Sequence, residues 1–222
     1  MDLILQQFLN FSIMEKVWPL LLRGFGTTLW LCALVIPLGL TGGLAVALAS
    51  ISKYAPIRWP AVVLVDFFRA FPPLVLLILL YSGLPFAGIA LSPIAAVAIG
   101  FLLNSSSYFG EIYRAGIESV GRGQWEAARS TGLGAFSTFT YVVLPQAVRN
   151  VLPDLISNTI EVIKLTSIAS VVSFPELLYS ADMARSLTFN SSPVVLAAIM
   201  YLVILWPLVR LVSRLERRIG HA

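Results

Sequence analysis

Long apolar runs separated by short polar breaks dominate the pattern along this chain. A helix that crosses a bilayer needs about 20 consecutive apolar residues, and five stretches reach or approach that length. They are residues 18–50, 59–81, 93–118, 146–172 and 193–211. Pro37 and the glycines after it mark a place where the first stretch could bend. We therefore predict an all-α membrane protein with five transmembrane helices in a single domain, residues 1–222.

Composition agrees with this prediction. The chain is 58% hydrophobic and 12% charged, whereas about a quarter of the residues in a soluble domain are charged. The net charge is only +4, so we expect the lipid bilayer and not a nucleic acid as a partner. One cysteine, Cys32, and one histidine, His221, offer no cluster for a metal ion and no hydrolytic constellation.

The basic residues predict the orientation, because cytoplasmic flanks of membrane spans carry an excess of Lys and Arg. With the carboxyl terminus inside, three basic residues, Lys16, Arg23 and Arg185, lie outside. Ten lie in the cytoplasm: Lys53, Arg58, Arg114, Arg122, Arg129, Arg149, Arg210, Arg214, Arg217 and Arg218. The sequence therefore predicts an N-out, C-in topology with residues 119–145 in the cytoplasm.

Two predicted spans contain polar side chains that lipid would exclude. On the third, Asn104, Tyr108 and Glu111 recur at i, i+4 and i+7 and so share a helix face. The middle of the fourth span contains Asn158, Thr159, Glu161, Lys164, Thr166 and Ser167. Ionisable groups at membrane depth are costly and by default indicate function.

The second span contains a possible ion pair and a break. Asp66 and Arg69 are three residues apart, so they share a helix face and could pair. Pro72 and Pro73 follow directly and should disrupt the helix.

The segment 119–145 has the pattern of two short helices around a glycine turn. Glu126 to Thr131 favours a helix, and Gly132 and Gly134 allow a sharp change of direction. We expect Ser137 to cap the second short helix. Pro145 suits the first turn of the next helix, where its missing N–H costs nothing.

These residues resemble a motif of ABC importer permeases, the EAA loop. The resemblance rests on Glu126-Ala127-Ala128, Gly132 and the closing Val142-Val143-Leu144-Pro145. Further matches to the polar amino acid branch of that family cover roughly residues 20–215. The matching segments occur in the same order as in the family. The further matching segments are Leu22 to Leu29, Asp66 to Pro72, Asn104 to Tyr108, Glu111 to Val120, and Lys164 with Thr166-Ser167.

The resemblance implies a type I importer permease fold and a half-transporter in a bacterial inner membrane. A second permease chain, like or unlike, would complete the pathway. Two ATPase subunits would bind the cytoplasmic loops, and an extracytoplasmic binding protein would deliver an amino acid. The chain would bind no cofactor itself, since ATP and Mg²⁺ belong to the partner ATPase.

The resemblance also assigns candidate site residues. The residues expected to couple the chain to the ATPase are Glu126, Ala127, Ala128, Gly132, Leu144 and Pro145. We expect Glu126 to favour the amino terminus of its helix and to pair with a basic group of the ATPase, and the two alanines to allow close approach.

The substrate pathway is assigned to Lys164, Glu161, Asn104, Tyr108, Asn158, Thr166 and Ser167. Lys164 would receive the α-carboxylate, and Glu161 an α-amino or cationic side chain. A structural ion pair between Glu161 and Lys164 is the other interpretation. The family's acidic position after the lysine is Leu165 here, so the amino contact could move to Glu161, come from an unlike partner, or be absent.

Two other functions compete with the importer. The sequence has no GxxxxGK[ST] stretch and so no P-loop ATPase site of its own. Energy must then come from a partner or an ion gradient, and an ion-coupled secondary transporter using Glu161 and Lys164 is the alternative. A membrane scaffold that only assembles other proteins is the third interpretation, and it predicts no transport defect from changes in the loop.

Overall fold

A computed structural model describes residues 2–219 and the side chains of residues 4–214. Every regular element in that range is helical. Arg217, Arg218 and His221, used above, therefore lie outside the described side chains. Four helical stretches are long and apolar enough to cross a membrane: Ile4–Ser50, Pro93–Glu118, Ala135–Val172 and Ser192–Arg214. A fifth is obtained if the broken pair Ala55–Ala70 and Pro73–Ala87 counts as one span.

The amino-terminal part consists of a short helix α1, Asp2–Phe8, followed by α2, Phe11–Ser50. The predicted first span, 18–50, thus begins earlier but ends where expected. Asn10 accounts for the start of α2, because its side-chain oxygen accepts a hydrogen bond from the amide of Ile13 at 3.2 Å. Its own amide donates to the Ser192 hydroxyl at 2.9 Å.

The second span is interrupted where its two prolines predict a break. Helix α3, Ala55–Ala70, ends at Phe71, which has an extended backbone with φ −87° and ψ 127°. Helix α4, Pro73–Ile78, begins after Pro72 and continues through a π-turn, Leu79–Gly83, and a 3-10 turn, Leu84–Ala87. A residue that precedes proline is disfavoured in the helical region, so the predicted break is confirmed.

The third span is helix α5, Pro93–Glu118. After it come α6, Arg122–Ser130, and α7, Ala135–Thr138, and a π-turn at Phe139–Val143 that leads into α8, Leu144–Leu165. A 3-10 segment, Thr166–Val172, continues α8 to the residue at which the fourth span was predicted to end. The last helices are α9, Leu177–Thr188, and α10, Ser192–Ile219.

The described chain divides into two compact units. The first contains residues up to Pro37, then Pro72–Phe101 and Ile160–Val209. Its apolar core joins the start of α2 to α9 and α10 through Val17, Leu21, Leu177, Ala181, Ala184, Ala197 and Met200. The remaining residues form the second unit.

Close contact between α2 and α5 organises the second unit. A Cβ added to Gly43 would lie 2.5 Å from the Phe109 Cβ and 2.9 Å from the Gly110 amide nitrogen, and one added to Gly39 would lie 2.8 Å from the Ser105 Cβ. Only glycine therefore fits at these two positions. Their GxxxG spacing is typical of closely packed membrane helices.

Candidate functional site

The 119–145 loop is held together by its own small apolar cluster. Val120, Val143 and Ala147 are buried there, and Trp125 and Phe139 pack against them. The Trp125 and Phe139 ring centroids are 6.3 Å apart. Helix α6 is thereby packed onto the chain that leads into α8.

Polar contacts add to this packing. The Gln146 side-chain amide donates to the Gln124 side-chain oxygen at 3.3 Å. The Asn150 amide donates to the Ser119 hydroxyl at 2.9 Å. Both bonds link the start of α8 to the segment around α6, so the loop and the start of α8 are braced against each other.

The turn between α6 and α7 depends on Gly132. Its φ is +88° and nothing lies within 4 Å of where a Cβ would be. The position therefore needs glycine for its backbone conformation, not for lack of space. The predicted sharp turn is confirmed. Gly134, by contrast, has an ordinary φ of −65° and precedes the first residue of α7.

The candidate coupling residues do not all lie on one surface. Glu126 and Ala127 are exposed, as are Leu144 and Pro145, whereas Ala128 is buried within the chain. Of the two alanines, only Ala127 faces outward. Two aromatic side chains extend the exposed surface, with Phe136 80% and Tyr141 74% accessible.

Two local predictions for this loop are wrong. Helix α6 begins at Arg122, so Glu126 lies beyond its first turn and its charge gains little from the helix amino terminus, where that effect is confined. Ser137 lies inside α7, and Gly134 precedes that helix with no side-chain cap.

Pro145 lies just after a widened turn. The amide of Leu144 donates to the Phe139 carbonyl, five residues back. Because the proline ring would clash with the carbonyl four residues earlier in a regular helix, a π-turn at Phe139–Val143 accommodates it. Pro145 lies in the first turn of α8, as predicted, and the π-turn makes α7 and α8 nearly continuous.

The polar face of α5 contacts the end of α3. The Asn104 side-chain amide donates to the Phe68 carbonyl at 3.1 Å, and the Tyr108 hydroxyl to the Arg69 carbonyl at 3.3 Å. Glu111 accepts two hydrogen bonds from Arg114, at 2.9 and 2.5 Å.

The predicted Asp66–Arg69 pair is not formed among the described side chains. Arg69 instead lies 3.7 Å from the Glu111 carboxylate and 5.7 Å from the centre of the Tyr108 ring. Arg69 lies near the end of α3, and its side chain contacts α5. Spacing along α3 cannot reveal such partners. Asp66 lines a cavity of about 240 Å³ with Glu111, Arg114 and Glu118.

On the fourth span, Glu161 and Lys164 form an ion pair with each other. Their side chains remain 58% and 46% exposed. Thr166 is buried, and its hydroxyl donates to the Ile163 carbonyl at 2.7 Å. Ser167 donates to the Lys164 carbonyl at 2.8 Å.

Asn158 has a buried amide nitrogen with no hydrogen-bond partner in the described part of the chain. It belongs to the second unit, whereas Glu161 and Lys164 belong to the first. No group of three or more His, Cys, Asp or Glu side chains with metal-binding geometry occurs among the described residues.

A buried carboxylate that the sequence did not single out joins three helices of the first unit. Glu176 is fully buried and accepts hydrogen bonds from the amides of Leu178 at 2.8 Å and Tyr179 at 2.7 Å, capping α9. Tyr201 of α10 donates to it at 3.0 Å. Thr28 of α2 accepts from the neighbouring Leu177 amide at 3.0 Å. An acidic residue directly before an apolar helical run is the signal that could have found it.

Known proteins resemble this chain over nearly its whole length. Residues 39–221 match the family described as "Binding-protein-dependent transport system inner membrane component". The probable amino-acid ABC transporter permease protein YckA of Bacillus subtilis (strain 168) is 37% identical over 213 residues, 96% of this chain and 94% of that protein. The probable glutamine ABC transporter permease protein GlnM of the same organism is 34% identical over 212 residues, 95% of this chain and 98% of that one.

A solved structure agrees with both relatives. It is described as the "Crystal structure of an amino acid ABC transporter with histidines", and it superposes with a TM-score of 0.88 at 37% identity, covering 95% of this chain and 99% of that one. The predicted all-α architecture and importer permease fold are confirmed at this level. The chain therefore belongs to the family of inner membrane components of binding-protein-dependent transport systems, the permease subunits of ABC transporters.

Proposed function

We propose that the chain is the transmembrane subunit of an ATP-driven amino acid importer in a bacterial inner membrane. A second permease chain, like or unlike, completes the pathway, and an extracytoplasmic binding protein delivers the substrate. Two relatives named as amino acid and glutamine permeases support the substrate class. The ten-to-three distribution of basic residues supports an N-out, C-in topology.

The observation on which the coupling proposal rests is a rigid loop with an outward surface. Trp125 and Phe139 fix α6 to the chain leading into α8. Glu126, Ala127 and Phe136 face away from that cluster. Exposed apolar patches mark contact sites for other proteins, and the loop exposes two aromatic rings, those of Phe136 and Tyr141. We assign this surface to the ATPase subunit.

The loop then acts as a lever. ATP and Mg²⁺ are bound by the two ATPase subunits, whose closure moves the loops docked on them. Because α6 is packed against the start of α8 and follows α5 directly, the movement passes to both spans. Tilting of these spans exchanges inward for outward access.

The substrate site is assigned to the exposed pair on the fourth span. Charged side chains within a membrane span face the protein interior or water, not lipid. Since Glu161 and Lys164 stay about half exposed in the isolated chain, the pathway or the second permease must cover them. Lys164 binds the α-carboxylate and Glu161 the amino group, with Thr166 and Ser167 as further polar residues of the same unit.

A matched pair of glycine substitutions tests the lever. Gly132→Val places a β-branched residue at φ +88°, a conformation that such residues avoid. Gly134→Val adds the same side chain at φ −65°, and a Cβ meets nothing within 4 Å at either position. In assembled complexes, the Gly132 variant should lose at least about tenfold of the ATPase stimulation by loaded binding protein, equivalent to ~1.4 kcal/mol. Normal stimulation in that variant would refute the lever.

The same complexes distinguish the ion-coupled alternative. Uptake into proteoliposomes should require ATP on the cytoplasmic side and should persist when a protonophore collapses the proton gradient. Uptake that needs the gradient and not ATP would favour a secondary transporter using Glu161 and Lys164. A loop variant that left uptake intact would favour the scaffold.

A further inference from the structure

Pro72 and Pro73 leave two backbone carbonyls without their helical donors. In a helix, the amide of residue i+4 donates to the carbonyl of residue i. For Phe68 and Arg69 those amides would come from residues 72 and 73, which are prolines and have no N–H. The end of α3 therefore presents two acceptors that its own helix cannot pair. Within a membrane, an unpaired backbone group is especially costly, because lipid offers no substitute donor.

Helix α5 provides one side-chain donor for each of these carbonyls. Asn104 donates to the Phe68 carbonyl at 3.1 Å, and Tyr108, one turn later, donates to the Arg69 carbonyl at 3.3 Å. Asn104 is only 4% exposed, so this bond lies in the interior of the second unit.

The same face of α5 also binds the Arg69 side chain. Its guanidinium lies 5.7 Å from the centre of the Tyr108 ring and 3.7 Å from the Glu111 carboxylate. Tyr108 thus contacts Arg69 twice, through its hydroxyl at the carbonyl and through its ring at the side chain. The three polar residues of this face are all used at the end of α3.

We propose that Asn104 and Tyr108 are positioning residues that replace the donors missing at Pro72 and Pro73, hold the end of α3 on α5, and do not bind substrate. Their transport role rests on the proposed function. It differs from the expectation that both line the substrate pathway. Loss of either donor loosens the end of α3, so turnover falls while substrate affinity stays the same.

Hydrogen–deuterium exchange of the purified complex without substrate tests the proposal directly. The variants are Asn104→Leu, which removes the donor at similar size, and the milder Tyr108→Phe, which removes only the hydroxyl. Ser107→Ala is the control, because Ser107 lies between them in the sequence and is buried, but its hydroxyl donates to the Leu103 carbonyl of its own helix at 2.9 Å.

Amides at the end of α3, residues 66–71, should exchange at least about fivefold faster in both variants, as expected for a lost hydrogen bond. In the control, their exchange rates should equal those of the wild type. Exchange at the wild-type rate in both variants would overturn the proposal. A residue that only binds substrate should not change exchange in α3 when no substrate is present.

Uptake kinetics provide the second readout. Both variants should lower the maximal rate several-fold and leave KM within about twofold. A KM raised tenfold at an unchanged maximal rate would assign both side chains to substrate and contradict the proposal. If the wild-type complex failed to take up amino acids, the proposed function would fail, and the exchange result would still decide the positioning role.

Discussion

The polar faces of the third and fourth spans look alike in sequence and differ in structure. Asn104 and Tyr108 on α5 are bonded to carbonyls of α3, and Glu111 is bonded to Arg114. On α8, Glu161 and Lys164 have each other but remain about half exposed. The first face is satisfied within its own chain, whereas the second needs water, substrate or another chain to cover it.

The difference shows how a polar group inside a span can be assigned. Its cost in lipid requires some partner, but the partner can be structural or functional. Where the chain itself provides the partner, positioning is the simpler role. Where the charge stays exposed, the pathway or a second permease is the remaining candidate.

The largest expected effect comes from Lys164. Lys164→Ala removes the proposed ligand of the α-carboxylate, and truncating one side of a charged hydrogen bond typically costs about 2–5 kcal/mol. At a factor of ten per 1.4 kcal/mol, KM for uptake should rise at least about twentyfold.

Arg185→Ala is the matched control for that change. Arg185 pairs with Asp182 three residues earlier at 3.0 Å, with exposures of 54% and 48%, but on α9 between the spans. In the Arg185→Ala complex, KM for uptake should stay at the wild-type value. A Lys164→Ala complex that transports at the wild-type rate and affinity would remove Lys164 from the pathway.

A smaller effect is expected where α5 packs on α2. Gly43→Ala would place a Cβ 2.5 Å from the Phe109 Cβ, and overpacking of this kind typically costs about 1–3 kcal/mol. Thermal unfolding in detergent should begin at a lower temperature. Gly26→Ala, on the same helix with nothing within 4 Å, should be neutral or slightly stabilising. Equal melting temperatures for the two variants would show that this contact does not hold the α5 face in place.

The smallest effect concerns Glu176, a buried carboxylate satisfied within its own chain. Burial raises the pKa of Glu176, and the charge of Asp182 adds to the shift, while hydrogen bonds from Leu178, Tyr179 and Tyr201 oppose it. A raised pKa in the folded state means that the neutral form is favoured there. Its stabilising contribution is complete below the unfolded pKa of about 4.3 and is lost as pH rises through the folded value.

Glu176→Gln should therefore flatten the pH dependence of unfolding. Between pH 4 and pH 7 the melting temperature of the wild type should fall relative to that of the variant, measured on the same preparation. Parallel curves would show that the Glu176 carboxyl titrates alike in the folded and unfolded states.

Local chemistry was the part of the fold that the sequence predicted well. The Gly132 turn, the break at Pro72 and the shared face of Asn104, Tyr108 and Glu111 all follow from residue type and helical spacing. The start of α6 was missed by four residues, since Arg122 to Trp125 has no strong start signal.

Partners from distant parts of the chain were the part that spacing could not predict. Arg69 binds Glu111 and Tyr108 instead of Asp66 because α5 lies beside the end of α3. The two prolines do predict which carbonyls of α3 are unpaired, but not which helix supplies the donors. Glu176 is similar, because its role depends on Tyr201 and on burial.

We propose that this permease works as part of an ATP-driven complex. Extraction of the tagged chain from its native membrane in mild detergent, followed by identification of what co-purifies, tests it most directly. An ATPase subunit should be present in the preparation, together with a second permease of similar size if the partner is unlike. The ATPase should remain bound after gentle washing and in the Gly134→Val variant. A chain that repeatedly came out alone under still gentler extraction, and whose uptake collapsed with the proton gradient, would contradict the proposal.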